Sequence, residues 1–437
     1  MSEGGQEDRT TLTMRDVERI VAETTFPDRV AEPRIGIEVE AFPIATSNGA
    51  TRRTSLKESA TVLADEGFTP REGLNPSFDL PGAGTLTFEP GGQLEHSSAP
   101  APIVCDAINE LLDVRDFIVS AYSARGISLA FTGVDHWHDV ADVPQQLAGP
   151  RYPAMASYFD DRGPWGAVMM RHTSSLQINL ETGSGDVARE RWQVANLAVP
   201  LLTATFSTSP SHEVHSTRAL AWQRLDPTRT GFPAGFIAGK PDPVGQMTEF
   251  ALDADVLVVI RGGTALQGSQ GWSFRDWLTE PHPELGFPGA ADLEYHLTTL
   301  FPEVRPRAGV LEIRSCDALP PRWQPVPVVL MAGLLYDDEA RQEALEILDP
   351  YRHMTPLLWS AAAARGLADD TLASLGEHVW PLALEGSRRL GEVFIGPKQA
   401  ISERFVETYT MQRKTLADEL RELLDKDARA ALEWAAG

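Results

Sequence analysis

Glu38 and Glu40 stand two residues apart in RIGIEVEAF, residues 34–42. Ile35, Ile37 and Val39 alternate with Gly36, Glu38 and Glu40, which predicts a strand with both carboxylates on one face. Carboxylates so placed lie about 6–7 Å apart and point the same way, so by themselves they repel. The pattern recurs. In TLTFE, Leu86 and Phe88 alternate with Thr87 and Glu89; past the Pro90-Gly91-Gly92 turn, Gln93 and Glu95 share a parity around Leu94. In SSLQINLE, Leu176, Ile178 and Leu180 alternate with Gln177, Asn179 and Glu181, and in GVLEIRS, Leu311 and Ile313 alternate with Glu312 and Arg314. Each strand alone could be amphipathic with one face in water. Taken together, the polar faces hold carboxylates and amides, one arginine and no lysine. Such an oxygen-rich set suits a hard cation such as Mg²⁺, bound partly through water and nucleotide phosphates. A cation would turn the repulsion of Glu38 and Glu40 into a shared ligand set.

Arginines supply the opposite charge: Arg151 in PRY, Arg218 in STR, Arg229 in DPTRTG, and Arg305 and Arg307 in VRPR. Arginine grips carboxylate or phosphate with two parallel hydrogen bonds. Any one of these could be a structural ion pair; beside an acidic cluster they point to a site for an anionic substrate and a triphosphate. The sequence has no GxxxxGK[ST], GxSxG or HExxH, and no GxGxxG after a strand; RGGTALQG at 261–268 reads as a loop. Nucleotide chemistry here therefore requires a sheet-based site. His136 and His138 in DHWHD read as hydrogen-bonded loop residues rather than a zinc pair, and His212 and His215 stay unassigned.

The elements that must position these groups follow from periodicity. TMRDVERIVAETTF reads as a capped helix with Val17, Ile20 and Val21 on one stripe, LKESATVLADEG as a second helix stopping at a glycine, and PIVCDAINELLDVRDFIVSAYSARG as a long amphipathic one. Strands and helices do not alternate regularly, which predicts an α+β fold with a mostly antiparallel sheet. From about residue 325 the chain reads as helical. One domain is expected over 1–437, with a sheet-rich core at 34–335 and a helical region at 336–437.

The balance of 38 basic against 62 acidic residues, −24 overall, argues against a nucleic-acid backbone or an anionic membrane as partner. It leaves an anionic small molecule open, because a few pocket arginines suffice. MSEGGQEDRTTLT at the start is polar and no apolar run approaches a membrane span, so a cytoplasmic protein is expected. Cys105 and Cys316 read as ordinary thiols.

IGIEVE, FEPGGQLEHSSAP, RYPAM, MMRHTSSLQINLE, STRALAWQRLDPTRTG, YHLTTLFPEVRPRAGVLEIRSCDA and GLLYDDEA resemble, in that order, the plant-type glutamate–cysteine ligases. The bacterial ligase of ergothioneine synthesis is the most similar branch, and the resemblance runs from about residue 34 to 340. It implies a glutamine-synthetase-like fold, a curved antiparallel sheet forming a funnel whose polar inner face holds ATP and Mg²⁺. It also implies the reaction, in which the γ-carboxylate of glutamate takes the terminal phosphoryl group of ATP and an amine then displaces phosphate. Carried over by position, Glu38, Glu40, Glu89, Gln93 and Glu95 would form the metal set. Glu312, Gln177 and Asn179 would face the nucleotide. Arg218 would hold the glutamate α-carboxylate, with Trp323 and Tyr295 or His296 lining the same pocket. Arg151, Arg307 and Arg314 would neutralise phosphate or acyl phosphate. The partners implied are small molecules, L-glutamate and L-cysteine or another amine, acting on a monomer or homodimer.

Three positions depart from the family pattern: Ala41 where some members have lysine or histidine, His172 where arginine is common, and Leu319-Pro320-Pro321 in place of a glycine pair. The last borders Trp323 and leaves the amine acceptor open, so a γ-glutamyl ligase with another acceptor is the alternative. A binding protein that has kept only the fold should have lost its inner carboxylates, and Glu38, Glu40, Glu89 and Glu312 are present.

Overall fold

The computed structural model describes residues 12–27 and 34–437; the polar stretch at residues 1–11 lies outside the described residues. Strand β1 (Ile35–Ser47) is the axis of a ten-stranded sheet. Across the sheet the order is β9 (Val304–Arg307), β10 (Val310–Asp317), β8 (Ser175–Glu181), β1, β6 (Leu94–Ser97), β5 (Thr85–Phe88), β4 (Phe78–Asp79) and β3 (Thr69–Pro70). All these neighbours are antiparallel. Strands β2 (Ala50–Arg53) and β7 (Ile127–Ala130) pair with the second half of β1.

Alternation alone predicts β1 to Phe42, yet it runs on to Ser47. It does so by changing partners. Residues 38–41 pair with β6, and from Phe42 onward the ladder passes to β7 and β2. Pro43, which has no N–H to give a ladder, falls at the handover and accepts from Thr54 N at 3.0 Å.

Register puts all five patterned strands in phase. Glu38 lies opposite Gln177, Glu40 opposite Glu95, Glu95 opposite Thr87, and Glu312 between Asn179 and Arg305. One face is thus polar. The other carries Ile35, Ile37, Val39, Leu86, Leu176, Ile178, Leu311 and Ile313, each at most 4% exposed.

Helix α1 (Met14–Thr25) opens with a capping box between Thr13 and Asp16 and buries the stripe of Val17, Ile20 and Val21. It is followed by α2 (Leu56–Asp65), α3 (Val104–Ser123), α4 (Arg151–Asp160), α5 (Trp165–His172), α6 (Gly185–Thr205) and α7 (Thr217–Leu225). Helix α3 and the helix Pro325–Tyr336 pack on the sheet's apolar side. The latter, PVPVVLMAGLLY, is apolar all round and buried from Pro325 to Leu335, as a helix between a sheet and further helices must be. Beyond it the described chain is helical to the end, and helix Ala428–Ala436 returns to the sheet, where Ala435 O accepts from Phe131 N at 3.0 Å. Among the described residues no helix is long and apolar enough to cross a membrane.

Candidate active site

Helices α4, α5 and α7 roof the polar face of the sheet, and between roof and sheet lies a cavity of about 300 Å³. Its floor is built by strand period and register. Glu38 and Glu40 come from β1, Gln177 from β8, Glu95 from β6 and Arg314 from β10, with Glu89 and Gln93 on the turn joining β5 to β6. Carboxylate oxygens of Glu40, Glu89 and Glu95 lie within 4.8 Å of one another.

Three carboxylates this close and only partly exposed oppose one another's charge. Burial, then Glu95 and Glu312, push Glu38 up to about 7. Burial, then Glu40, does the same to Glu95, also to about 7. Burial, Glu95 and Glu40 raise Glu89 well above the usual carboxylate range. Glu40 is raised by burial, although Arg218 and its bonds from Ser175 pull the other way. Ser175 donates to it from N and Oγ, both at 2.9 Å, and Gln177 Nε2 donates at 3.3 Å. Asn179 Nδ2 donates to Glu38 at 3.1 Å.

The turn that delivers Glu89 needs its glycines. Gly92 has φ +79°, and a Cβ on Gly91 would stand 2.4 Å from Arg171 O. Gln93 Nε2 donates to Thr173 O at 2.8 Å, while its buried Oε1 has no partner among the described residues.

Positive charge enters from the far edge of the sheet and from the roof. Arg305 on β9 grips Glu312 with Nε at 3.1 Å and Nη2 at 2.7 Å. Arg314 donates to Glu312 and, at 2.8 Å, to Gln177 Oε1. Burial works against the Glu312 charge, but Arg305 and Arg314 together hold it below the usual range. A β-bulge after Ile313 inserts one residue beside Arg314. Arg218, at the start of α7, is buried; its Nη2 donates to Arg314 O at 2.8 Å and its Nη1 lies 3.8 Å from Asp317 Oδ1. Arg151, the first residue of α4, completes the rim. Arg151 and Arg218 thus sit at helix starts rather than in loops or strands.

A second cavity of about 450 Å³ adjoins the first across Arg151, Phe301 and Arg305. Tyr295 lines it, with the Arg151 guanidinium 5.8 Å from its ring centroid. Arg307 also faces this second cavity and is exposed, one turn of the strand pattern beyond Arg305.

Two expected pocket residues lie elsewhere. His296 is buried with Nε2 2.8 Å from Ala251 O and its ring on Phe274, and burial lowers it to about 3. Trp323 packs edge-on to Phe405 and Tyr409 among the C-terminal helices. An amphipathic helix with a polar residue on its buried stripe places His296 in the core, and the short turn Pro321–Trp323 points its indole away from the sheet's polar face. None of Leu319, Pro320 and Pro321 lines the cavity. Ala41 is on the apolar face, opposite Leu94, where a charged side chain could not reach the carboxylates. Arg229 forms a fully buried pair with Asp226 at 2.7 Å and donates to Thr299 O at 2.9 Å, a structural role.

Arg305 and the roof residues Tyr152, Met155, Met169, Met170, Trp222 and Phe301 are the lining groups that periodicity does not single out. For Arg305 a signal exists. Ala308 and Gly309 both have positive φ, +51° and +84°, so VRPRAGVLE is a two-residue hairpin that must place Arg305 opposite Glu312. The roof comes from three separate helices and the short strand Phe301–Pro302, and has no such signal.

A sheet-floored cavity lined by clustered carboxylates and facing arginines is the candidate active site. Residues 34–386 match glutamate-cysteine ligase family 2. Glutamate–cysteine ligase EgtA of Mycolicibacterium smegmatis is 35% identical over 345 residues, 77% of this chain and 76% of that protein. The chloroplastic glutamate–cysteine ligase of Arabidopsis thaliana is 31% identical over 337 residues, 74% of this chain and 63% of its own length. A solved bifunctional glutathione synthetase from Pasteurella multocida overlays 96% of this chain and 53% of its own at TM-score 0.49 and 13% identity. The chain belongs to glutamate-cysteine ligase family 2 and is a ligase.

Proposed function

We propose that this chain couples the γ-carboxylate of L-glutamate to the amine of L-cysteine, using ATP and Mg²⁺, and that the cavity on the polar sheet face is where it does so. The observation that carries the reading is the convergence of Glu40, Glu89 and Glu95 within 4.8 Å in a cavity also lined by Arg151, Arg218, Arg305 and Arg314. The donor set fits a hard divalent cation: it is all oxygen, its charges repel when nothing lies between them, and buried Gln93 Oε1 has no partner among the described residues. Glu40, Glu89 and Glu95 would hold the ion, with Glu38 and Gln93 beside them. When bound, the cation neutralises charge on the phosphoryl group being transferred and orients it.

The chain's own groups do the rest. A carboxylate in water does not form an amide, because its acyl carbon lacks a leaving group. Transfer of the γ-phosphoryl group of ATP to the substrate carboxylate releases ADP and supplies one. Attack by the amine nitrogen on the acyl carbon then breaks the bond to phosphate, and the amine loses a proton. Arg314 and Arg305 stand where negative charge collects in both steps, and their own partner Glu312 keeps them aimed. Arg218, buried under α7 and braced on Arg314 O, is the group for the α-carboxylate of glutamate. Arg151 stands at the gate to the second cavity, whose Tyr295, Leu297 and Leu300 suit a purine ring. The roof of Met155, Met169 and Met170 is soft and uncharged, which suits a thiol side chain.

Phosphate release with ATP, Mg²⁺ and L-glutamate tests the reading. L-Cysteine should raise it selectively among a panel of amines, with γ-glutamylcysteine detected by mass. Stimulation by a different amine with cysteine inert would overturn the acceptor while leaving the acyl phosphate; no glutamate-dependent release would overturn the whole.

A further inference from the structure

The DHWHD loop and the end of β2 meet behind the site, where neither touches the cavity. Arg53 Nη1 pairs with Asp135 Oδ2 at 3.1 Å, and the two side chains are 6% and 0% exposed. The other prong of Arg53, Nη2, donates to Gly91 O at 2.9 Å, and its guanidinium lies 4.6 Å from the Phe42 ring centroid. Asp135 is held in turn, by Trp137 N at 2.9 Å and His138 Nδ1 at 2.9 Å, while its own N donates to His172 O at 3.2 Å. Gln146 grips the same turn, with N on Pro90 O at 2.7 Å and Nε2 on Gly91 O at 3.0 Å.

Gly91 is the centre of the turn that carries Glu89 on one side and Gln93 on the other. Its carbonyl accepts two hydrogen bonds, one from a charged and largely buried guanidinium. Charge-assisted bonds of this kind are stronger and shorter than neutral ones. Removing two charges from water costs several kcal/mol each unless their geometry recovers it, so a buried pair beside a reactive turn is an expensive way to hold a surface loop and an apt way to hold a ligand loop. Glu89 itself has no side-chain hydrogen bond among the described residues, so its place in the carboxylate cluster is set by the backbone of this turn.

We propose that the Arg53–Asp135 pair, oriented by His138 and assisted by Gln146, is a positioning clamp that fixes Glu89 at cation-binding distance from Glu40 and Glu95. The clamp rests on the cation reading given above. Arg53 and Asp135 touch neither cation nor substrate; they act through Gly91 O. The clamp also gives the DHWHD histidines their place. His138 orients the aspartate, and His136, with Nε2 3.1 Å from Thr208 O, anchors the loop.

Two variants test it: Arg53→Lys, whose single ammonium cannot span Asp135 and Gly91 O as a fork does, and Arg53→Met/Asp135→Asn, which removes both charges so that neither is left buried alone. The readouts are Mn²⁺ binding to the protein without nucleotide, followed by the electron paramagnetic resonance of free Mn²⁺, and the KM for glutamate. The clamp requires Mn²⁺ affinity to fall by about tenfold or more in both variants while the KM for glutamate stays within about twofold. Unchanged Mn²⁺ affinity in folded Arg53→Lys, with wild type binding Mn²⁺ normally, overturns the clamp alone. A parallel rise in the glutamate KM overturns it too, since general loosening would do that. Wild-type protein that binds no Mn²⁺ overturns the cation site and the clamp with it.

Discussion

Glu89 is the residue at which the competing demands are sharpest. Its half-buried carboxylate faces Glu95 and Glu40, and no side chain or backbone N–H is bonded to it among the described residues. A residue kept for stability would have such a donor; a ligand has its donor replaced by an ion. Glu40 differs, since Ser175 and Gln177 already hold it. Replacing Glu89 by glutamine removes a repulsion and keeps the shape. Glu89→Gln should therefore melt no lower than wild type at pH 8 in EDTA, while kcat/KM for Mg-ATP falls on the order of 100-fold. Steady-state kinetics over a Mg²⁺ titration, beside a thermal melt, decides it. An unaltered Mg²⁺ dependence would take Glu89 out of the ligand set. Arg305 makes the complementary point about reading one residue at a time. It and Arg307 share a strand face, and only the hairpin register assigns the first to Glu312 and leaves the second in solvent.

Strands with a period of two announce their faces, and this is why Glu38, Glu40, Glu95, Gln177 and Glu312 could be grouped before any fold was known. Neighbour order is a different kind of information. Strand β1 lies between β6 and β8, and β8 begins 135 residues after Glu40, counting to Ser175. The resemblance implies a shared polar inner face, but neither it nor alternation orders the strands. Helical roof residues such as Met169 and Trp222 were invisible because a buried apolar helix position looks the same over a core as over a cavity. Trp323 and His296 were misplaced for the converse reason, since proximity in sequence to a patterned strand says nothing about where a short helix aims its side chains. The β5–β6 turn is the element on which these levels meet. Its glycines are readable as turn chemistry, but the reason Gly91 cannot be alanine is tertiary: the Cβ would stand 2.4 Å from Arg171 O at the end of α5. Gly91→Ala must push the turn off α5, at a cost of about 1–3 kcal/mol, and carry Glu89 with it. A lowered Tm together with a raised half-saturating Mg²⁺ concentration is expected. A lowered Tm with Mg²⁺ dependence intact would show that the turn can move without moving the cluster.

At the scale of the whole molecule, the site makes the empty protein's stability depend on pH in an uncommon direction. Carboxylates of ordinary globular proteins are stabilised by folding, so acid destabilises. Here Glu38 and Glu95 are raised to about 7, and Glu40 and Glu89 are raised too. A raised carboxyl binds its proton more tightly folded than unfolded, so its contribution is full below the ordinary carboxylate range and is lost as pH climbs through about 7. Groups shifted the other way set the acid limb: Asp135, which gains more from His138 and Arg53 than burial costs it and falls to about 2, and Glu312 between its two arginines. Their contribution is lost as pH drops below the ordinary range. The net charge of −24 at pH 7 adds self-repulsion on the alkaline side. In EDTA the Tm should therefore peak near pH 5–6 and decline through pH 8, the window set by those shifts. A cation that binds only the folded state stabilises in proportion to its occupancy, and protons compete with it for the same oxygens. Added Mg²⁺ should then raise Tm clearly at pH 8 and little at pH 5.5. Calorimetry across this range, with and without Mg²⁺, separates the site from the general charge: in Glu89→Gln the surface charge is nearly unchanged, so a decline that flattens belongs to the cluster, and one that persists belongs to the surface.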